Sequence, residues 1–315
     1  MNDSGNGGKR PYALYLGCTI PARVQQYEIA SRKVAKALGL EFRDVADFAC
    51  CGYPIASLDA RTARLLAARN LALAERAGCH ICALCTACTG SLTEAAHELA
   101  HNPELLDSVN ADLAAIGLRY TGGVKVRHLV RVFWEEIGRP KIEAALTRRL
   151  SGVVLAPHYG CHYLKPSDAH GDFEDCEAPH TLDDLIRWTG ARPLDYPRKL
   201  KCCGGGVLAT DEKLALGISR EKLRDVARRG ADAITLVCPF CNIMYDTNQK
   251  KIETMFGGEL GVPVLFFPQV LGLAMGFEPR DLGIQMNRVQ PKGLLDKIGI
   301  KRAFCRTSVA QADSL

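Results

Sequence analysis

The sequence predicts an α/β protein made of two repeated units, each with a small parallel sheet flanked by helices. Short apolar runs alternate with segments of helical periodicity in both halves of the chain, which is the order expected for parallel sheets. The same spacing of cysteines also occurs once in each half. With 315 residues, the chain is long enough for two domains that each have their own core.

In the first half, strands are predicted where apolar runs lead towards cysteines, at residues 13–17, 40–45 and 80–84. Residues 22–38 have the apolar spacing of a helix, and Gly39 supplies its stop. Asp59 is a suitable N-cap for an alanine-rich helix that ends at Gly78. Cys88 is expected to begin the helix after that.

The second half repeats this order. Strands are predicted at residues 153–156 and 233–237, before Cys161 and Cys238. Thr181 or Asp183 opens a helix that ends near Gly190, and Thr210 is the predicted N-cap of a long helix. Because ligands of parallel sheets gather at the carboxyl ends of the strands, the cysteines that follow these strands are placed at a functional edge.

Five segments follow from these elements. Residues 1–10 are polar and glycine-rich and are expected to form a disordered tail. The first repeated domain covers 11–100, a mainly helical connector 101–150, and the second domain 151–280. Residues 281–315 are a C-terminal extension whose last part, 304–315, is expected to be loose.

Composition narrows the classes of function. The chain is 47% hydrophobic and 24% charged, as in globular proteins, and its net charge of +5 comes from scattered residues rather than a basic stripe for nucleic acid. Neither a secretory signal nor a membrane-spanning segment is visible, so a cytoplasmic protein is predicted. Fourteen cysteines in such a chain favour metal or redox chemistry over structural disulfides. No phosphate-binding glycine motif is present.

Each cysteine set consists of a single cysteine, an adjacent pair followed by glycine, and a C-x-x-C motif. The first set is Cys18, Cys50, Cys51, Cys85 and Cys88, and the second is Cys161, Cys202, Cys203, Cys238 and Cys241. Five thiols are one more than a mononuclear zinc site or an ordinary iron–sulfur cube requires. A C-x-x-C at a helix start suits metal binding, because the helix dipole favours the thiolate.

The repeat separates these ten cysteines from four others. An offset of 153 residues sets Cys85 on Cys238, and it then sets Cys79 on Asp232 and Cys82 on Thr235. The cysteines without a counterpart are Cys79, Cys82, Cys176 and Cys305. A competing interpretation takes Cys79 to Cys88 as a ferredoxin motif, but the last gap is one residue short and the expected proline is missing.

Histidines give weaker signals. His158 and His162 lie close to Cys161 in the sequence, and a histidine that titrates near neutral pH suits proton delivery. His162 is the candidate catalytic residue.

Five segments of the sequence resemble the B subunit of heterodisulfide reductase, with its two cysteine-rich CCG domains. They are Leu16 to Pro21, Cys50-Cys51-Gly52, Tyr159 to His162, Cys202 to Gly206 and Cys238 to Cys241. The resemblance covers nearly the whole chain, and the alanine- and arginine-rich composition favours a bacterial heterodisulfide reductase-like form.

The resemblance implies that each domain binds a non-cubane [4Fe–4S] cluster through its five cysteines. A disulfide would enter between the two clusters and be cleaved by successive one-electron transfers. Partners would be a ferredoxin-like protein with cubane [4Fe–4S] clusters that resembles the C subunit, a flavoprotein that resembles the A subunit, and a lipoate- or sulfur-carrier protein. In bacteria, which generally lack the coenzyme M and coenzyme B of methanogens, the resemblance favours sulfur oxidation.

Three alternatives remain open. The chain could be the B subunit of a CoB–CoM heterodisulfide reductase proper. It could also be an electron-relay subunit of another oxidoreductase complex. Finally, one or both cysteine sets could bind zinc, with one thiol left free.

Overall fold

A computed structural model describes residues 10–171 and 173–300. The chain forms two four-stranded sheets in which every neighbouring pair of strands is parallel. The strands are β1 (Tyr12–Tyr15), β2 (Phe42–Arg43), β3 (His80–Ala83), β4 (Val126–His128), β5 (Val154–His158), β6 (Arg192–Pro193), β7 (Ala233–Leu236) and β8 (Val264–Phe266). The strand order is β2-β1-β3-β4 in the first sheet and β6-β5-β7-β8 in the second. The predicted α/β class with two repeated units is confirmed.

Helices flank both sheets. The α-helices are α1 (Thr19–Arg23), α2 (Gln25–Ala37), α3 (Ala60–Arg76), α4 (Thr86–His101), α5 (Pro103–Ala114), α6 (Leu129–Val132), α7 (Gly138–Ala144), α8 (Cys161–Leu164), α9 (Ser167–His170), α10 (Thr181–Trp188), α11 (Glu212–Arg228), α12 (Pro239–Asn242), α13 (Gln249–Phe256), α14 (Phe267–Ala274) and α15 (Lys292–Lys297). Short π-helical turns follow α6 and α12 at Phe133–Ile137 and Ile243–Thr247. No helix in the described part of the chain is both long and apolar enough to span a bilayer.

Several predicted elements differ in detail. The helix predicted over residues 22–38 is divided at Val24, whose φ of −140° and ψ of 52° are not helical. The N-cap of α11 is Asp211 rather than Thr210, because the Asp211 carboxylate accepts the Leu214 N–H at 2.9 Å. Helix α4 begins at Thr86 instead of Cys88, with Cys85 as its N-cap. The Asp59 N-cap of α3 and the start of α10 at Thr181 agree with the prediction.

Strands β4, β6 and β8 are absent from the sequence-based prediction. Strand β4 lies inside the segment expected to be a mainly helical connector, and it completes the first sheet by pairing with β3. These strands have two or three residues each, which is too short to show a strand periodicity in the sequence. The expected tail at 304–315 and Cys305 lie outside the described residues, as do nine of the ten residues of the expected N-terminal tail.

The two repeats pack against each other through a continuous apolar core. The ring of Tyr27 in α2 stacks on Phe266 at the end of β8, with the ring centres 3.9 Å apart. The Tyr27 hydroxyl donates to the Val237 carbonyl at 3.1 Å. Because Tyr27 belongs to the first repeat and Val237 to the second, this contact fixes the carboxyl end of β7 against the first repeat.

Candidate functional site

The first cysteine set is assembled by three connections of the first sheet. Cys18 is the N-cap of α1, Cys85 is the N-cap of α4, and Cys88 lies in the first turn of α4. Cys50 and Cys51 lie in the loop between β2 and α3. All five follow the carboxyl ends of strands, which is where parallel sheets place their ligands.

The second set uses the equivalent positions of the second sheet. Cys161 is the first residue of α8, and Cys238 is the N-cap of α12, with Cys241 inside that helix. Cys202 and Cys203 lie in the loop before α11. Pro239 occupies the first turn of α12, as the sequence predicts.

The glycine after each cysteine pair has a specific structural role. Gly52 has a φ of +89° and Gly204 a φ of +86°, which side chains rarely allow. A Cβ at Gly52 would lie 2.4 Å from the Ala63 carbonyl oxygen, and a Cβ at Gly204 would lie 2.6 Å from that of Ala215. Each paired loop therefore needs glycine here to pack directly on the backbone of the helix that follows.

Within each set, hydrogen bonds join several of the thiols. Side-chain hydrogen bonds join Cys51 to Cys88 and Cys88 to Cys85 in the first set. In the second set they join Cys161 to Cys202, Cys202 to Cys203, Cys203 to Cys241 and Cys241 to Cys238. Backbone N–H groups also donate to these sulfurs, from Gly52 to Cys50 at 3.4 Å and from Gly204 to Cys202 at 3.3 Å.

Some of these thiols are set up to ionise. The hydrogen bond from Cys88 lowers the pKa of Cys51 to about 7, against the opposing effect of burial. Hydrogen bonds from Cys161 and Cys203 lower the pKa of Cys202, and that from Cys241 lowers the pKa of Cys238. Since the thiolate is the form that binds metal, both sets offer the chemistry of a metal centre.

The two sets meet at Cys85 and Cys238, whose side chains hydrogen-bond across the boundary between the repeats. Gly160 lies at the same junction, since a Cβ there would be 3.2 Å from the Thr86 hydroxyl and 3.6 Å from the Cys238 Cβ. Tyr53 of the first repeat interacts with the second set: burial and then the charge of Cys161 raise the pKa of its hydroxyl to about 12. The ten cysteines thus form two adjacent sites.

His162, the candidate catalytic residue, lies at this junction. Its Nδ1 is 3.3 Å from the Cys161 sulfur, and its ring contacts Tyr53 edge to face with the ring centres 4.7 Å apart. Burial lowers its pKa. The imidazole is within hydrogen-bond reach of the Cys161 sulfur, while its burial opposes the protonated form of the ring.

His128 is a residue of this site that the sequence does not reveal. Its Nδ1 accepts the Val130 N–H at 3.2 Å, so its Nε2 carries the hydrogen and donates to two carbonyls. These are the carbonyls of Leu84 at 3.2 Å and Val237 at 2.9 Å, the residues immediately before Cys85 and Cys238. One imidazole therefore joins the two strand ends that carry the C-x-x-C motifs.

The loops that carry the cysteine pairs are held by a buried polar residue in each repeat, also unforeseen. Asn70 of α3 accepts the Ala49 N–H at 2.9 Å and donates to the Cys50 carbonyl at 3.0 Å. Lys222 of α11 donates to the Lys201 carbonyl at 2.6 Å. No sequence motif marks either residue, because their partners are backbone groups distant along the chain.

The cysteines without a counterpart are placed differently. Cys79, directly before β3, and Cys82, within β3, are fully buried, and burial raises the pKa of Cys82. Cys176 lines a cavity of about 280 Å³ together with Cys161. In the described residues, no group of three or more His, Cys, Asp or Glu side chains has the arrangement of a single-ion site. The donor chemistry, five thiols in each set, fits an iron–sulfur centre.

Comparison with known proteins agrees with the cysteine pattern. The family model of the CCG cysteine-rich domain matches twice, at residues 12–93 and 155–246. The fold resembles the crystal structure of a hypothetical protein from Helicobacter pylori, with a TM-score of 0.73 and 18% identity over 90% of this chain and 52% of the other. That likeness concerns the fold alone.

Curated relatives span most of the chain. The B subunit of the ferredoxin/F420H2-dependent CoB–CoM heterodisulfide reductase of Methanosarcina acetivorans is 37% identical over 91% of this chain and 96% of its own length. A protein of Archaeoglobus profundus, named for its likeness to the B subunit of heterodisulfide reductase, is 36% identical over 85% of this chain and 91% of its own. The 8-methylmenaquinol:fumarate reductase membrane anchor subunit of Wolinella succinogenes is 28% identical over 89% and 97%. The chain belongs to the family of two-CCG-domain proteins that includes the B subunit of heterodisulfide reductase.

Proposed function

We propose that this chain is the catalytic iron–sulfur subunit of a heterodisulfide reductase-like oxidoreductase complex. Its two cysteine sets would each hold a non-cubane [4Fe–4S] cluster, and a disulfide or persulfide bond would be made or broken between them. The observation that carries the proposal is the contact of Cys85 with Cys238, which puts the two sets side by side. The names of the heterodisulfide reductase relatives support the same chemistry.

Adjacency of the two sets matters because cleaving a disulfide takes two electrons and yields two sulfur products, each of which takes up a proton. Bound clusters would supply the electrons one at a time. The residues of this chain would have three supporting roles. The ten cysteines hold the clusters, His128 keeps the two C-x-x-C motifs together, and Tyr53 with His162 covers the second set.

His162 is the residue we assign to proton delivery. Its ring is half-buried at the junction, and its Nδ1 reaches the Cys161 sulfur at 3.3 Å. A proton held on this ring can move to a sulfur product without a large rearrangement.

An electron-relay role is the second candidate, and a specific finding favours it. One relative is named as the membrane anchor subunit of a fumarate reductase, whose reaction does not involve a disulfide. In a relay, electrons would pass through the two clusters without substrate between them. The B subunit of a CoB–CoM heterodisulfide reductase proper is equally consistent with the relatives.

For the cellular role we favour sulfur oxidation in a bacterial cytoplasm, with a carrier-bound sulfur species as substrate. The expected partners are a ferredoxin-like protein with cubane [4Fe–4S] clusters that resembles the C subunit, a flavoprotein that resembles the A subunit, and a lipoate- or sulfur-carrier protein. The relatives named as subunits of larger reductases support a complex of several proteins. Mass spectrometry of the co-purifying proteins tests this: the flavoprotein and carrier should be present, and a fumarate reductase flavoprotein instead would favour the relay.

Metal content tests the cofactor. Anaerobically purified protein should contain about eight irons per chain, as two four-iron clusters. Stoichiometric zinc with negligible iron would contradict both the catalytic and the relay role.

Matched variants test the ligands. Cys51→Ser and Cys203→Ser should each remove one cluster and abolish turnover, whereas Cys79→Ser should keep the iron. Loss of iron in Cys79→Ser, or full iron in Cys203→Ser, would show that the assignment of ligands is wrong. Turnover with a disulfide substrate and a chemical reductant then separates the two roles, because only the catalytic subunit reduces it.

A further inference from the structure

The two cysteine sets have different buried surroundings, although the repeats are built alike. An offset of 152 residues sets the N-cap Asp59 on Asp211 and the pair Cys50-Cys51 on Cys202-Cys203. The same offset sets Asn70 of α3 on Lys222 of α11. Both side chains are almost completely buried, with 0% and 1% of their surface exposed. A neutral amide in one repeat is therefore replaced by an amine in the other.

The neighbours of these two residues are also equivalent. Tyr15 pairs with Ala83 in the first sheet, and His158 pairs with Leu236 at the same register of the second sheet. The Tyr15 hydroxyl is 3.4 Å from the Asn70 amide nitrogen, and it donates to the Ala49 carbonyl. In the second repeat the corresponding pair is His158 with Lys222, joined at 2.8 Å.

Lys222 makes three polar contacts in its buried position. Its Nζ is within hydrogen-bond distance of three acceptors: His158 Nδ1 at 2.8 Å, the Lys199 carbonyl at 3.1 Å and the Lys201 carbonyl at 2.6 Å. An ammonium has three donors and satisfies all three partners, and a neutral amine also satisfies them when it donates to the two carbonyls and accepts from a His158 Nδ1–H. The ring of Tyr245 lies 5.7 Å from the same nitrogen and favours a cation.

The Lys222 side chain lies beside the second cysteine set. Burial lowers the pKa of Lys222 to about 7, while the charges of Cys241, Cys203 and Cys202 act in the opposite direction and favour its ammonium form. His158 interacts with Cys238 and Cys202, and its buried Nε2 has no hydrogen-bond partner among the described residues. When Lys222 is an ammonium, His158 Nδ1 accepts from it and the hydrogen is on Nε2, which leaves a buried donor available beside the second cysteine set.

We propose that Lys222 and His158 are positioning residues that raise the reduction potential of the centre held by the second cysteine set above that of the first. A buried positive charge stabilises the reduced, more negative state of a nearby cluster, and hydrogen-bond donors near its sulfurs act in the same direction. Asn70 and Tyr15 supply no charge at the equivalent place. The proposal rests on the iron–sulfur part of the proposed function, not on disulfide chemistry.

A difference in reduction potential between the two centres would determine which centre an electron occupies first. Two equal centres would share an electron, whereas unequal ones keep the first electron at the second set until another arrives. The second set also has the more exposed adjacent pair, since Cys202 is exposed and Cys50 is not fully so. The site with the higher potential is therefore also the one more open to a substrate sulfur.

The test is a redox titration, followed by electron paramagnetic resonance, of the anaerobically purified full chain. Cys51→Ser and Cys203→Ser, which each leave one set intact, assign the two transitions of the wild-type protein. A wild-type protein without two iron–sulfur transitions would contradict the proposed function itself. If both transitions are present, Lys222→Met tests the further inference irrespective of turnover.

We expect Lys222→Met to lower only the second potential, by about a tenfold change in the reduction equilibrium, which is about 59 mV for one electron. Lys250→Gln, which removes an exposed amine of α13, should change neither potential. Unchanged potentials in Lys222→Met with full iron content would overturn the proposal, because a purely structural lysine would leave them unchanged.

If the Lys222→Met variant loses iron, the reverse exchange of residues between the repeats provides the test. The double variant Tyr15→His, Asn70→Lys gives the first repeat the pair of the second, and it should raise the first potential towards the second. An unchanged first potential, or loss of iron in this variant as well, would show that these residues only support their loops, and it would overturn the proposal.

Discussion

His128 offers the sharpest test of how the two repeats are joined. Replacing it with phenylalanine keeps a ring of similar size, and phenylalanine is what the second repeat has at the equivalent register, Phe266. The variant loses the Nε2–H that binds the carbonyls of Leu84 and Val237, and the Nδ1 that accepts the Val130 N–H. Because Val237 keeps its bond from Tyr27, mainly two buried backbone groups lose a partner.

The expected loss of stability follows from the number of buried backbone groups that lose a hydrogen-bond partner. Leaving a buried donor or acceptor without a partner costs about 1–3 kcal/mol each, so the two groups that lose a partner in His128→Phe should lower the free energy of unfolding by about 2–6 kcal/mol. Urea unfolding at pH 7.5 under anaerobic conditions measures this. Phe266→Leu, which removes an aromatic contact of the same junction without touching a hydrogen bond, is the control for lost packing.

The pH dependence gives a second, independent readout. Burial lowers the pKa of His128 to about 4, from an ordinary value of 6.5 in the unfolded chain. Between these two pKa values the unfolded state binds a proton on this histidine and the folded state does not. The contribution of His128 to stability is therefore fully present above pH 6.5 and is lost as the pH falls towards 4. Linkage gives about 2 kcal/mol of loss between pH 7 and pH 5.

That contribution should disappear in His128→Phe, so the difference in stability between the two proteins should narrow by about 2 kcal/mol from pH 7 to pH 5. Equal stability of variant and wild type, or a difference that does not change with pH, would refute the view that neutral His128 joins the two strand ends.

Three further predictions concern the loops and helices around the cysteines. Gly204→Ala should lower stability by more than about 2 kcal/mol and remove iron from the second set, whereas Gly206→Ala, with open space around its Cα, should do neither; iron analysis and thermal unfolding check this. Asp211→Ala should cost about 1 kcal/mol in urea unfolding through loss of the N-cap, and an equal loss in Thr210→Ala would contradict the assignment of the cap. The double variant Cys79→Ala, Cys82→Ala should keep its iron, and a reduced iron-to-protein ratio would revive the ferredoxin-like interpretation.

Much of the fold could be predicted because the two repeats of the sequence can be aligned with each other. The strands before Cys18, Cys85, Cys161 and Cys238 were detectable as apolar runs that end at chemically distinctive residues. The N-cap Asp59 was detectable because capping depends on a side chain three residues from its partner. The α/β class follows from such local signals added along the chain.

The rest depends on contacts that the local sequence does not contain. Strand β4 has three residues, and its pairing with β3 spans more than forty residues of intervening chain. His128 and Lys222 act on backbone carbonyls of distant residues, and a carbonyl leaves no mark in the sequence. Thr210 and Asp211 are neighbouring candidates for the N-cap of α11. The backbone conformation of the loop determines that Asp211 takes this position.

The junction between the repeats has a consequence for how such a chain could have arisen. A duplicated unit begins with two identical faces, and a symmetric junction would place the same residue on both sides. Here one side contributes His128 and the other Phe266, which stacks on Tyr27 instead of bridging carbonyls. The two faces are now complementary rather than alike, so each half recognises the other better than it would recognise a copy of itself, and two half-chains expressed separately should assemble as a heterodimer.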